Sequence, residues 1–435
     1  MTIQDDLEVR DNLRVIEMPA TDKPTIVVSV DEPASPSTRP DVVVVERRPQ
    51  ATGDKWNLSG KIRENIKWFS RIDLVLAGAA LVLSIFGTLL VWSATRSRLE
   101  AAGDDPNTFL TRHALNIVIG VALAIFITRL DYRTLRSYTP IVYGVVMVSL
   151  FVVLTPLGVS QNGTKGWLPL PAGFTMQPAE FAKVVVILAL AMVLSEREVG
   201  RDEPSTHDMR YALAWAAGPV ALVMLQPDLG SALVIGSIVI GILLAANAST
   251  KWLLGIVGSV FAAGFLAVVL GILDRYQLDR LLTFMDPSHD LQGVGYNTHQ
   301  ARIAIGGGGL WGQGLFQGNQ TQGAFVPYQQ TDFVFSVAGE EFGLIGAAVI
   351  IGLLGVILWR GIHIARQARD PFGRLVATGV VCWLAFQAFE NIGMNLGIMP
   401  VTGVPLPFVS YGGSSMFAAW IAIGLLQSVH IRSRQ

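Results

Sequence analysis

Apolar runs long enough to cross a bilayer leave this chain few folds to choose from. A spanning helix needs roughly 20 mostly apolar residues. The candidate runs are 73–94, 109–128, 138–156, 179–195, 211–225, 229–247, 251–272, 332–359, 374–396 and 414–430. They predict an all-α polytopic membrane protein with about ten transmembrane helices. The fifth run is short and meets Gln226-Pro227-Asp228, so it is expected to tilt or to end inside protein. Charged residues are only 15% of the chain, against about 25% in soluble domains. The formal net charge of −1 gives no reason to expect a nucleic-acid partner. Cys382 is the single cysteine, so no disulfide can form within the chain and its loops must be held by packing.

Lys and Arg in the short loops set the orientation. One set of loops carries Arg129, Arg133 and Arg136, then Arg197, Arg201 and Arg210, Lys251, Arg360, Arg366, Arg369 and Arg374, and last Arg432 and Arg434. The alternate loops 157–177, 226–228 and 397–413 hold one basic residue, Lys165. Both termini are therefore expected in the cytoplasm, with residues 273–331 forming a long extracytoplasmic loop between helices 7 and 8. The segment 95–112, with Arg96, Arg98 and Arg112, departs from this pattern. Residues 1–58 show β-prone runs between prolines and too few apolar residues for a core, and are expected to be a disordered cytoplasmic tail. A docking strand for a partner is the alternative. The acidic start and late first apolar run argue against a secretory leader. Residues 59–71 alternate Ile62, Ile66, Trp68 and Phe69 with Lys61, Arg63, Lys67 and Arg71, as a helix lying at the headgroup level would. The transmembrane domain then spans 72–430, and 431–435 is a cytoplasmic C-terminus.

Ionisable groups inside spans are expensive and default to functional candidates. Glu180 and Lys183, three residues apart, share a helix face. They form either an internal ion pair pinning that helix or a binding site for a polar head group. Gln387, Asn391 and Asn395 recur every four residues, a stripe that must face the bundle or a cavity, with Glu390 and Cys382 beside it. Glu340 and Glu341 fall inside the eighth run, between Gly339 and Gly343, a small-xxx-small pair that favours close helix packing.

The interval from Asp274 to Thr331 is polar and rich in glycine, and loops of this length usually carry function. Asp286, His289 and Asp290 cluster near its centre, flanked by Arg275, Arg280 and Arg302. Gly306 to Gly309 lack the Lys-Ser/Thr pair of a phosphate loop. A turn, or a backbone seat for an anion, is the better expectation. His289 and His299 do not match a zinc spacing. Asp286 and Asp290 offer oxygen ligands of the kind magnesium and manganese accept, so a divalent cation is the one cofactor this loop could hold.

Several motifs then occur in a specific order. They are Gln177-Pro178-Ala179-Glu180 with Lys183, Gln226-Pro227-Asp228-Leu229-Gly230, and Asp290 with Gly293, Gly295, Tyr296 and Gln300. Thr331-Asp332-Phe333, Gly339-Glu340-Glu341, Asn391-Ile392-Gly393-Met394 and GVPLPFVSYGGSS (403–415) complete the set. On these residues the chain resembles the SEDS family (shape, elongation, division and sporulation proteins), nearer its RodA branch than FtsW or SpoVE because of the GVPLP form. The resemblance covers nearly all of 70–430. It implies a peptidoglycan glycosyltransferase of the bacterial cell membrane that polymerises lipid II into glycan strands during cell elongation. Its implied partners are lipid II, the nascent strand, a class B penicillin-binding protein and other elongation-machinery proteins.

The family's catalytic aspartate matches Asp290. Candidate substrate-binding residues are Lys165, Trp167, Glu180, Lys183, Arg275, Arg280, Gln300, Arg302, Asn391 and Ser410. Leu291 replaces the family's usual proline, Tyr328 and Gln330 replace Glu and His, and Gly166 stands where arginine is usual. The chemistry agrees with one carboxylate. Glycoside hydrolases need a second because their leaving alkoxide must be protonated. A lipid diphosphate leaves readily, so one base plus positive charge suffices. The competing reading is a lipid II flippase, which would concentrate its essential residues at the membrane midplane.

The topology has a direct check. In a Cys382→Ser background, cysteines placed at Gln320 and at Gln435 should react with impermeant reagents from opposite sides of the membrane. Labelling of both from outside would overturn the arginine-based orientation.

Overall fold

The computed structural model describes residues 71–161, 164–171, 174–196, 203–271 and 294–434, together with the backbone of three short strands nearer the N-terminus. Those strands are β1 (Leu13–Ile16), β2 (Thr25–Val30) and β3 (Val43–Glu46), antiparallel in the order β1-β2-β3. Leu13 stands opposite Val30, and Thr25 opposite Glu46. The strands fall on the β-prone runs noted in the tail, which are rich in β-branched valine and isoleucine. Residues 59–70, expected as an interfacial helix, lie outside the described residues.

Residues from 71 onwards form a separate helical unit. Its helices are α1 (Leu74–Ala102), α2 (Thr108–Arg129), α3 (Tyr132–Leu154), α4 (Pro178–Ser195), α5 (Thr206–Leu225), α6 (Leu229–Ala245) and α7 (Thr250–Val269). They continue as α8 (Val294–Gly308), α9 (Asn319–Gln322), α10 (Val334–Glu341), α11 (Gly343–Gln367), α12 (Pro371–Leu396) and α13 (Gly413–Ser433). A small hairpin, β4 (Val159–Gln161), β5 (Thr164–Pro169) and β6 (Thr175–Met176), joins α3 to α4. Among the described residues eight helices are long and apolar enough to cross a membrane. The two other expected spans are α5, polar in its first turns, and α6, apolar but 17 residues long. This is a helical multi-pass membrane protein.

The core sits on α4, α12 and α13. The apolar windows of α4 and α13 are 78% and 83% buried within protein, while that of α7 has no buried residue. A helix apolar all round belongs in such a core, and α4 has Val184–Leu190 buried in succession. Helix association in lipid rests on close packing of small residues. Gly120 of α2 lies under the Trp420 ring, and Gly424 of α13 lies against the Ala124 backbone. Cys382 has a similar role, its Sγ filling the space left by Gly241 on α6. At the bundle end away from the hairpin, Asp73 caps α1 through Leu76 N (3.1 Å). It also pairs with Arg360 of α11 (2.5 Å) and exchanges backbone hydrogen bonds with the Gln427 amide of α13 (2.9 and 2.8 Å).

The eighth apolar run, expected as one span, is broken. Phe342 separates α10 from α11, and Gly343, the first residue of α11, has φ 64°. A break inside an apolar run frees backbone groups that must find partners within the protein. Here Glu340 O accepts from Gln313 N (2.9 Å), Glu341 O from Gly314 N (3.0 Å), and Leu344 N donates to Gly309 O (2.9 Å). The two side chains act likewise. Glu340 accepts from the N–H groups of Gln320 (2.7 Å) and Thr321 (2.9 Å). Glu341 accepts from Ser93 Oγ (2.5 Å) and Phe316 N (3.2 Å). The glycine run, expected as a turn or anion seat, finishes α8, and Gly308 packs on the Gly339 carbonyl.

Gly343→Ala tests this break. A side chain there needs a left-handed backbone, and its Cβ would lie 2.4 Å from Gly312 N. Strain of this kind costs roughly 1–3 kcal/mol. The purified variant should unfold at lower temperature than wild type, and an unchanged melting temperature would show that the break is not held as described.

Candidate functional site

A cavity of about 230 Å³ lies at the bundle end where α4, α6 and α13 begin. Its wall includes Trp167 of the hairpin, Gln177 and Glu180 of α4, Asp228 and Ser231 of α6, and Asp332. Arg112 and Asn116 of α2, Thr402–Pro405, and Tyr411–Ser415 also border it. These residues come from motifs scattered over some 300 positions of sequence, and only the bundle brings them together.

Beneath this wall lies a buried polar hub. Lys183 Nζ donates to Glu180 Oε1 (2.7 Å) and to Gln387 Oε1 (2.9 Å), and stands over the Trp383 ring at 5.6 Å from its centroid. Lys183 and Glu180 are 0% and 1% exposed, so the charges neutralise each other where water cannot. Glu180 Oε2 has no hydrogen-bond partner, and Glu180 borders the cavity. The i,i+3 spacing read from the sequence is realised as an ion pair that also reaches the site.

The amide stripe is scaffold. Gln387 Nε2 donates to Pro405 O (2.8 Å), Asn391 Nδ2 to Asp332 O and Val404 O (both 2.8 Å), and Asn395 Nδ2 to Asp332 O (3.1 Å). Asn395 Oδ1 accepts from Ser336 N (3.2 Å). Glu390 accepts from Thr402 Oγ1 (3.0 Å). Ser410 Oγ donates to Thr331 O (2.5 Å) and accepts from Leu406 N (2.7 Å). Irregular backbone at 331–333 and 402–410, with the first turn of α10, is thus tied down by buried side chains, as backbone outside a helix requires in a membrane protein.

The other expected residues divide. Trp167 borders the cavity, whereas Lys165 turns to the Leu154 carbonyl (3.2 Å). Gln300 is half-buried on α8, and Arg302 on the same helix is exposed, lying against Gly397 rather than in the cavity wall. Asn391 and Ser410 hold the wall from behind without bordering the cavity. Asp286, Asp290, Arg275 and Arg280 lie outside the described residues. Among the described residues no group of three His, Cys, Asp or Glu side chains is placed to hold a metal ion.

Sequence reasoning missed the contributions of Arg112, Asn116, Ser231, Tyr411 and Ser414 to the wall. Arg112 had stood out only as an exception to the loop-charge pattern. Its guanidinium reaches the Tyr411 hydroxyl; burial pushes that hydroxyl's pKa up, and the Arg112 charge pulls the other way. Arg96, a second exception, lies over the Trp92 and Phe316 rings and pairs with Glu100 (2.7 Å). Both arginines therefore have local partners near this end of the bundle.

Fold and site define a polytopic helical membrane protein with a polar cavity at one end, walled by three helix N-termini and braced by a buried ion pair. The family model for FtsW, RodA and SpoVE, described as cell cycle protein, matches residues 73–435. The chain belongs to this family, the SEDS proteins. A relative named probable peptidoglycan glycosyltransferase FtsW, from Geobacter metallireducens, is 37% identical over 379 residues, covering 87% of this chain and 99% of its own. Peptidoglycan glycosyltransferase MrdB of Escherichia coli is 34% identical over 362 residues, covering 82% and 93%. A solved structure concerning coordination of polymerization and crosslinking by a peptidoglycan synthase complex contains a similar chain. It matches with a TM-score of 0.68 and 30% identity, covering 84% of this chain and 99% of that one. FtsW-type and RodA-like relatives are nearly equally similar.

The ion pair yields a prediction. Removing one partner leaves the other charge buried and unpaired, a cost of roughly 3–5 kcal/mol. Glu180→Ala and Lys183→Ala should each reduce the amount of folded protein in membranes. Glu180→Gln combined with Lys183→Met should recover abundance beyond either single change. Equal abundance of all three would show that the pair is not structural.

Proposed function

We propose that this chain is a peptidoglycan glycosyltransferase that polymerises lipid II into glycan strands on the outer side of the cell membrane. The observation that carries this reading is the cavity itself. It gathers the family's motif residues at Trp167, Gln177, Glu180, Asp228, Asp332 and Gly403–Pro405 into one polar site. The strong similarity to glycosyltransferases over nearly the whole helical unit supports it.

The reaction follows from the leaving group. A sugar 4-hydroxyl attacks the anomeric carbon of a second sugar, the new glycosidic bond forms, and the bond to the lipid diphosphate breaks. Asp290 takes the hydroxyl proton. In sequence it precedes α8, and α8 packs on α10 through Gly308 and the Gly339 carbonyl. Arg275 and Arg280 are the nearby cations for diphosphate charge. Asp286 directly precedes Pro287, and together with Asp290 it would be the pair to hold a magnesium or manganese ion. Both termini face the cytoplasm in this reading, and a class B penicillin-binding protein cross-links the product. The likeness to a chain of a peptidoglycan synthase complex supports such a partner.

A flippase would need polar groups free to accompany a moving head group. Each amide nitrogen of the Gln387, Asn391 and Asn395 stripe is instead bonded to a backbone carbonyl. That favours the polymerase.

Purified protein with lipid II and gel separation of products tests the activity. Asp290→Asn keeps the side-chain size and removes the basic oxygen, so polymerisation should fall by roughly 100- to 10,000-fold. Asp286→Asn should cost at most a turn or cap interaction of about 1 kcal/mol. Synthesis at wild-type rate by Asp290→Asn would refute the assignment of the base.

A further inference from the structure

Thr331 and Asp332 border the cavity, and both belong to the segment that leads into α10. That segment turns sharply. Tyr328 has φ 55°, a left-handed value that non-glycine residues rarely hold unless their surroundings impose it. From this turn the Tyr328 carbonyl accepts from Thr331 N (3.1 Å), Asp332 N (3.1 Å) and Phe333 N (3.4 Å). Where the two wall residues stand therefore depends on what holds Tyr328 and its neighbours.

On one side the holders are Ser410, bonded to the Thr331 carbonyl, and Asn391 and Asn395, bonded to that of Asp332. On the other side the segment rests on Gln329. This residue is 4% exposed, and its Nε2 donates to Ala94 O of α1 (2.6 Å) and Thr321 O of α9 (3.0 Å). Thr321 is fixed in turn by Glu340 of α10, whose Oε2 accepts from Thr321 N (2.9 Å) and Thr321 Oγ1 (2.6 Å). Gln320 N donates to Glu340 Oε1 (2.7 Å), so both oxygens of this buried carboxylate are engaged by α9. Glu340, Thr321 and Gln329 do not themselves border the cavity. A chain of buried hydrogen bonds thus runs from a carboxylate in α10, through α9, to the turn that sets two wall residues.

We propose that Gln329, anchored by Glu340 through Thr321, is a positioning residue that sets where Thr331 and Asp332 stand in the cavity wall, and so how firmly substrate is held. The identity of the substrate rests on the polymerase reading; the placement of the wall does not. A chain of hydrogen bonds that only stabilised the fold would act differently. Loss of folded enzyme lowers the apparent kcat and leaves KM alone, whereas a displaced wall weakens substrate binding and raises KM.

The test is steady-state glycan synthesis from lipid II by the purified full-length protein. Gln329→Met keeps the bulk of the side chain and removes both donors. KM should rise roughly tenfold, the scale of a lost buried hydrogen bond, with apparent kcat within about twofold of wild type. Amide hydrogen exchange at 331–333 should quicken in the same variant. Asp73→Asn, which loosens the opposite end of the bundle, is the control: it should lower thermal stability and leave KM unchanged. Thr321→Ser keeps the hydroxyl that bonds Glu340 and should keep the wild-type KM. Thr321→Val has the same shape without the hydroxyl and should raise it. If Gln329→Met does not fold, the Thr321 variants decide, and equal KM values in the two overturn the proposal. Unchanged KM in a folded Gln329→Met also overturns it, as does a fall in apparent kcat alone. A wild-type protein that makes no glycan refutes the polymerase reading. Exchange at 331–333 then decides the placement: faster exchange in Gln329→Met upholds it, and unchanged exchange overturns it.

Discussion

Burying Lys183 is the constraint on which much of this structure depends. A lysine ammonium with no exposure must have its charge met and its protons accepted. Glu180 meets the charge and Gln387 accepts a further proton. Gln387 then turns its amide nitrogen to the Pro405 carbonyl, which fixes a segment of the cavity wall. One ion pair therefore ties α4 to α12 and ties both to the loop before α13. The shape of the polar cavity follows from how a charge is kept stable inside an apolar bundle.

The second organising element is the break between α10 and α11. It gives up continuous helical hydrogen bonding in an apolar run, and the carbonyls and carboxylates of Glu340 and Glu341 are used to hold the segment 312–323. Ser93 and Gln322 join the same cluster, so α1 is bound in as well. The segment after α8 is thus fastened to buried helices rather than left as a surface loop.

The helices differ sharply in how much of their surface the protein covers. α4, α12 and α13 are enclosed, whereas α7 has no buried residue and touches the core only through the half-buried Trp252, Leu253 and Ile256. The enclosed helices are those whose N-termini or amide side chains build the cavity. Small residues at their crossings, such as Gly120, Gly241 and Gly424, let backbones approach where lipid supplies no hydrophobic drive. At the opposite end, Asp73, Arg360 and Gln427 close α1, α11 and α13 together.

Length and hydropathy alone determined the helical class and the approximate position of most long helices, and spacing put Glu180 and Lys183 on one helix face. These are local properties: hydropathy over roughly twenty residues, and a three-residue offset on one helix face. Ordered motifs likewise marked Gln177, Asp228 and Asp332 as belonging to one family pattern. Only the tertiary structure decided what those residues do. Asn391 and Ser410, candidates for substrate contact, hold backbone carbonyls behind the wall, because the nearest unsatisfied groups come from loops distant in sequence. Arg112 read as an anomaly of charge distribution, because nothing in its neighbours along the chain reveals Tyr411 or the uncapped start of α13. The break at Gly343 was hidden in a continuous apolar run, since hydropathy does not report a positive φ. Which polar groups meet is set by helix packing across the bundle, and a linear pattern carries no record of it.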